Sequence, residues 1–232
     1  MLENRDYMRE GPKGFWWPAT ATLLAVNVFI FLLQVTLLDA QFLNYYFALS
    51  LEGLYHGFVW QFLTFQFLHS TPWPWHLLFN GWALFVFGRD VEYSLGIRRF
   101  LILYFSSGMV GGLFQEFVAL IWPHYFGSAV VGASAGIFGV VTAFAMLFPE
   151  RVLTLLIFYI VPVNMKAKNL FYLSLLMAAL GIATHPKSGL LLKLLGNNVA
   201  HAAHFGGSLA GLALIVEVFN LPKSSAPEQN DN

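Results

Sequence analysis

The sequence predicts an all-α, polytopic membrane protein: a bundle of six transmembrane helices with a membrane-embedded loop between the first two. Three observations lead there. Of 232 residues, 58% are hydrophobic and only 10% are charged, against about 25% charged in ordinary soluble domains. Mean hydropathy is +0.65. Apolar runs long enough for a bilayer, which needs about 20 such residues per helix, recur along the chain. The formal net charge of zero leaves no electrostatic footprint for nucleic acid, so no such partner is expected. The chain has no cysteine, which excludes disulfides, thiol catalysis and thiolate metal sites.

Residues 1–17 form a polar, basic segment with Arg5, Arg9 and Lys13, closed by Trp16 and Trp17, whose rings suit a membrane interface. The first span runs from Pro18 to about Leu38. It has no small-residue cleavage site and is expected to be a retained helix. Residues 39–73 are aromatic, nearly uncharged and too broken for one span, and are expected to be a partly embedded insertion. The second span covers about Trp75–Tyr93 and the third Phe100–Trp122. The fourth starts near Ser134 and stops before Pro149. The run Val152–Val161, ten residues long, is too short to cross and is expected at the interface, closed by Pro162. The fifth span covers roughly Leu170–Thr184 and the sixth Val199–Leu221. The membrane domain is thus 18–221, and 222–232 is an expected disordered tail.

Basic residues collect in the N-terminal segment, the second-to-third loop (Arg89, Arg98, Arg99) and the fourth-to-fifth segment (Arg151, Lys166, Lys168). The positive-inside rule therefore puts both termini in the cytoplasm, with Lys187 and Lys193 as a mild violation in an outer loop. The absence of cysteine and the small size suit a prokaryotic inner membrane.

Polar groups in hydrocarbon are costly and are usually functional or helix-pairing. His76, Asn80, Ser134 and His204 stand out. Their depths follow from the cytoplasmic helix ends at about 1.5 Å per residue. Ser134 lies 15 residues before Pro149, or roughly 22 Å up a hydrocarbon layer of about 30 Å. His204, His76 and Asn80 come out at roughly 27, 24 and 18 Å by the same measure. All four share one level below the outer surface.

A serine hydroxyl becomes a nucleophile when a base takes its proton, and neutral histidine is the usual base. Ser134 lies among Gly132, Gly136 and Gly139, and the sixth span carries His204, Gly207, Ser208 and Gly211 on one face. Two small-residue faces let the helices approach closely and favour His204 as the partner of Ser134. Backbone N–H groups at the start of the fourth span would meet a developing oxyanion. His76 and Asn80, at i and i+4, could donate to the same oxygen. No carboxylate orients His204, so a dyad is indicated.

Each residue also has a plainer reading. Ser134 alone reads as a helix N-cap or packing serine, and His204, His76 and Asn80 as interhelical ties. His201, a turn further out, reads as a water-facing interfacial histidine. Phe138 reads as packing. Asn27 and Gln34 on the first span are expected to make interhelical or interface hydrogen bonds. The zincin pattern is missing, so neither a metal nor any other cofactor is expected.

With these residues assembled, the chain resembles the rhomboid family of intramembrane serine proteases over roughly 18–221. HLLFNGWALFVFG resembles the family's H-x-x-x-N motif (His76, Asn80), and EYSLG its E-x-x-x-G motif (Glu92, Gly96). GASAGIFG resembles the nucleophile motif (Ser134), and AHFGGSLAG the base motif, with His204 preceding x-x-G at Gly207. The resemblance implies cleavage of transmembrane protein substrates near the outer face by a Ser134–His204 dyad. It also implies oxyanion support from His76 and Asn80, and an aromatic ring, Phe138, against the base. Many members have glycine after the nucleophile; here Ala135 follows, then Gly136. Two other readings stand beside it: a catalytically silent rhomboid-like protein that binds transmembrane helices, and a small transporter with a histidine proton relay.

Overall fold

The computed structural model describes residues 17–37, 39–72, 74–157, 161–184 and 200–218. The basic N-terminal segment with Trp16, the loop holding Lys187 and Lys193, and the expected tail lie outside them. In chain order the helices are α1 Pro18–Thr36, α2 Ala40–Phe47, α3 Leu51–Tyr55, α4 Gln61–Thr64, α5 Trp75–Leu95, α6 Ile97–Ile121, α7 Pro123–Phe126, α8 Ser134–Leu147, α9 Ala167–Thr184 and α10 His201–Ala213. A 3₁₀ turn, Phe65–Phe67, follows α4, and a π-helical turn, Leu214–Val218, extends α10.

Local chemistry explains several boundaries. Pro18 opens α1, where its missing N–H costs nothing and its φ is already helical. The next two free amides, of Ala19 and Thr20, donate to the two carboxylate oxygens of Glu92 at 2.9 and 2.7 Å. A buried carboxylate on α5 thus caps α1 from 72 residues away, with the sign the helix dipole favours. Asp39 caps α2 through the Phe42 amide, and Ser50 caps α3 through that of Gly53. Gly96, at φ +78, turns the chain from α5 into α6.

Among the described helices, α1, α6 and α9 are long and apolar enough to cross a membrane. Their outward faces carry Phe29, Leu32, Phe117 and Leu176, each more than half exposed. An apolar surface of that extent needs lipid or protein against it. α8 is only 14 residues, or about 21 Å.

The centre is built from α6, α8 and α10, which pack against one another; α5 lies on α8, α1 on α5, and α9 on α10 and α8. Leu84, Val91, Phe100, Leu103, Tyr104, Val140 and Phe144 form the main core. Lipid tails are as apolar as leucine, so close packing and polar contacts hold such helices together. Glycine supplies that closeness here. A Cβ on Gly207 would run into the Ala135 carbonyl, and one on Gly211 would meet the Gly139 carbonyl oxygen at 2.6 Å. The small-residue faces of α8 and α10 are in contact, as their spacing predicts.

The expectation of an all-α chain needs one correction. Val152–Ile157 and Val161–Lys166 pair as an antiparallel hairpin, β1–β2, with Val152 opposite Lys166 and Thr154 opposite Asn164. The run is rich in β-branched residues and too short to span. Pairing satisfies its backbone without a helix, and Pro162 is tolerated because both strands are edges. The hairpin base is tied by an Arg151–Asp90 ion pair at 2.6 Å and by Glu150, which binds Lys166 at 2.6 Å and also Lys168. The hydrogen bond donated by the Lys166 ammonium, then that from Lys168, holds the Glu150 carboxyl down at about 2.

Candidate active site

The insertion at 39–73 braces the turn that precedes Ser134. Buried Gln61 gathers the insertion, donating to the Tyr45 carbonyl at 2.9 Å and accepting from the Ser50 amide at 3.2 Å. Leu49 and Val130 exchange backbone hydrogen bonds at 3.0 and 2.8 Å, and the Gly132 amide donates to the Phe65 carbonyl at 2.9 Å. The segment 130–132 is therefore held like an extra strand.

Gly132 sits at φ +131, a conformation side chains rarely adopt. It also leaves room for two groups: a Cβ there would lie 2.7 and 2.8 Å from His76 Cε1 and Nε2, and 3.8 Å from Asn80 Nδ2. His76 and Asn80, one turn apart on α5, thus both point at the turn before Ser134. Asn80 Nδ2 is buried and has no partner among the described residues. An oxygen acceptor arriving there would meet a waiting donor.

Ser134 is the first residue of α8, and the Ala133 N-cap position makes no side-chain cap bond. Ala133, not Ser134, thus holds the N-cap position. Ser134 Oγ lies 2.7 Å from His204 Nε2. The Phe138 ring, one turn along α8, stacks on the His204 imidazole at 4.1 Å between centroids and 11° between planes. Gln115 of α6 steadies the start of α10: its Oε1 accepts from the Ala203 amide at 3.3 Å, and its Nε2 donates to the Phe126 carbonyl.

His201 departs from its sequence reading. It is buried, 5% exposed, not water-facing. Gly181 of α9 lies directly against its ring, where a Cβ would overlap it. A turn further out along α10 is still covered because α9 packs there, which depth along one helix does not reveal. Its ring stands 6.5 Å from that of His204.

Two residues of the site were not assigned to it by sequence reasoning. Ser70 approaches His76 Nδ1 with its backbone N–H at 3.3 Å and its hydroxyl at 3.2 Å. Gln34 binds His69 through both backbone groups at 3.0 and 3.1 Å. A polar residue on the first span was the available signal, but its partner lies 35 residues away.

The described structure is thus a helical bundle of membrane character with a serine–histidine pair at a glycine turn and two amide- or imidazole-bearing side chains beside it. Comparison with known proteins places it more closely: residues 56–220 match the Rhomboid domain model, and the chain belongs to the rhomboid family. It is 31% identical over 210 residues to Rhomboid protein 1, mitochondrial, of Saccharomyces cerevisiae, covering 89% of this chain and 54% of that protein. It is 35% identical over 104 residues to the Putative rhomboid protease YdcA of Bacillus subtilis, covering 44% of this chain and 48% of that one. Rhomboid protease AarA of Providencia stuartii is 26% identical over 225 residues, covering 88% and 73%. The chain spans about half the length of the first two.

Proposed function

We propose that this protein is an intramembrane serine endopeptidase that cleaves transmembrane protein substrates near the outer membrane face. The observation that carries the reading is the 2.7 Å contact between Ser134 Oγ and His204 Nε2. That is hydrogen-bond distance, and it is the geometry general-base activation requires.

In this mechanism His204 Nε2 takes the Ser134 proton as Oγ attacks a carbonyl carbon in a locally unwound substrate helix. The carbonyl oxygen becomes an oxyanion, met by Asn80 Nδ2, by His76 Nε2–H and by free amides of the first turn of α8. His204 then gives its proton to the leaving amine, and the peptide C–N bond breaks. Water, deprotonated by His204, attacks the acyl-serine ester and releases the acid with Ser134 restored. General-base catalysis contributes about 10²–10⁴-fold and each oxyanion donor about 10²–10³-fold. Phe138 holds the imidazole in plane by stacking, and Gly132 and Gly207 supply the room the arrangement needs.

The same reading takes α1, α5, α6, α8, α9 and α10 as six spans, with both termini on the cytoplasmic side and 39–73 embedded in the outer leaflet. The basic residues around β1–β2 and at the α5–α6 turn support that orientation. The site opens outward, because hydrolysis needs water that hydrocarbon does not supply. The lack of cysteine supports a prokaryotic cell membrane, against which the mitochondrial name of the yeast relative weighs.

The test is hydrolysis of a transmembrane substrate by purified protein in proteoliposomes, beside labelling with a fluorophosphonate. Wild type should cleave and label, and Ser134→Ala should do neither. Cleavage that survives Ser134→Ala sinks the proposal. Failure of wild type to label would favour a silent, helix-binding protein.

A further inference from the structure

The loop between the 3₁₀ turn and α5 carries more polar order than a connector needs. His69 is 2% exposed. Its backbone N–H donates to Gln34 Oε1 at 3.0 Å, and Gln34 Nε2 donates to its carbonyl at 3.1 Å. Gln34, on α1, is itself buried. The His69 carbonyl and the Ser70 N–H belong to one peptide unit. That unit is planar, with C=O and N–H pointing in opposite directions. Fixing the carbonyl on Gln34 therefore aims the Ser70 N–H the other way, and what lies there is His76 Nδ1, at 3.3 Å. The Ser70 hydroxyl reaches the same nitrogen at 3.2 Å. The His69 ring stands edge-on to that of His76, 5.2 Å between centroids, and closes the near side.

A backbone N–H can only donate. Nδ1 of His76 must therefore offer its lone pair, and a neutral ring then carries its proton on Nε2. Nε2 is the edge facing the Gly132 turn. The opposite tautomer would present a lone pair to a developing oxyanion and repel it.

We propose that Ser70 is a positioning residue that, oriented by Gln34 through the His69–Ser70 peptide, holds His76 in the Nε2–H tautomer. In that tautomer His76 donates to the oxyanion; Ser70 touches no reacting atom. The inference rests on the protease reading for its catalytic consequence, but the tautomer itself does not.

Two measurements test it on the full-length protein in detergent or proteoliposomes. In the first, ¹⁵N-histidine spectra assign the His76 ring nitrogens by comparison with His76→Ala. Wild type should show Nε2 protonated, and Gln34→Ala should show a mixture or the Nδ1–H form. In the second, substrate hydrolysis is measured. Gln34→Ala should lower kcat roughly tenfold, a part of the 10²–10³ that a whole oxyanion donor contributes, with KM within twofold. Ser70→Ala, at an exposed position, covers the case that Gln34→Ala does not fold. It should cost roughly threefold in kcat, recovered by Ser70→Thr. Neither change should cost anything further in a His76→Ala background. Ser70→Ala keeps the backbone N–H and should leave the tautomer unchanged. The proposal is overturned if His76 stays Nε2-protonated in Gln34→Ala, or if the kcat losses of Gln34→Ala and Ser70→Ala persist without His76. If Ser134→Ala still hydrolyses substrate, the protease reading fails while the tautomer measurement continues to decide this one.

Discussion

The Phe138 ring lies face-on to the imidazole of His204, 4.1 Å away and 11° from parallel. Histidine has two free torsions, and an imidazole turned by a few tens of degrees no longer addresses Ser134 Oγ. Ring stacking contributes about 0.5–1.5 kcal/mol beyond simple burial. Phe138→Ala should therefore lower kcat by about two- to tenfold, with substrate KM little changed, and Phe138→Tyr should recover most of it. Steady-state kinetics on a fluorogenic transmembrane substrate would read this.

Gly132 should tolerate no side chain. Its φ of +131 is strained for any L residue, and a Cβ would press on His76 Cε1 at 2.7 Å. Gly132→Ala should abolish hydrolysis, and thermal unfolding in detergent should show a loss of about 1–3 kcal/mol. A Gly132→Ala enzyme at wild-type rate would contradict the placement of His76 against this turn.

The α8–α10 contact should be equally intolerant. A side chain at Gly207 would enter the space held by the Ala135 carbonyl, one residue after Ser134. Gly207→Val should cost about 1–3 kcal/mol by overpacking. It should also remove fluorophosphonate labelling, because the helices carrying Ser134 and His204 would move apart.

Glu92 should behave as a purely structural carboxylate. It accepts the Ala19 and Thr20 amides at 2.9 and 2.7 Å and is 2% exposed. Glu92→Ala leaves both donors buried without partners, at about 1–3 kcal/mol each. A lowered melting temperature is expected, with kcat of the folded fraction retained.

The hairpin base should respond to acid over a defined window. The Lys166 and Lys168 ammonium groups hold the Glu150 carboxyl down at about 2, below the ordinary value of about 4.3. A depressed carboxyl stabilises the fold above its unfolded pKa and loses that contribution as pH falls through its folded value. The tie should therefore persist at pH 6 and weaken between about pH 4.5 and 2. The effect should be small and further reduced by salt, because the pair is exposed. Amide exchange at Leu153 and Thr154 would follow it, and Glu150→Gln should remove the pH dependence.

Boundaries of the long helices were legible where their signals are local, whereas the short α2, α3, α4 and α7 were not read as helices. Pro18 opens α1, Pro149 follows the end of α8, and apolar length separates spans from connectors. The hairpin was not legible. VLTLLI reads as apolar and short, and only its pairing with VPVNMK shows where its backbone hydrogen bonds go. His201 was misread for a related reason: whether a residue at a helix end meets water depends on the neighbouring helix, here α9 through Gly181.

The sequence by itself determined the membrane class, the order of the apolar segments and the polar residues out of place in them. Each of these follows from the transfer energy of individual side chains or from a fixed rise along a helix. Rotation about the helix axis is a different matter. His201 and His204 are three residues apart, so they differ by only about 60° around α10. Glycine spacing marked which face would meet α8, but it set no distance. Only the tertiary structure decided that Ser134 Oγ and His204 Nε2 lie 2.7 Å apart, that Gly132 turns under His76, and that Ser70 meets the far side of its ring. Hydrogen bonds are made or lost within a few tenths of an ångström. For the Ser134–His204 pair and for the Gln34–His69 pair that orients the Ser70 amide, that precision arises from packing between segments 70 and 35 residues apart in the chain, to which no local pattern is sensitive.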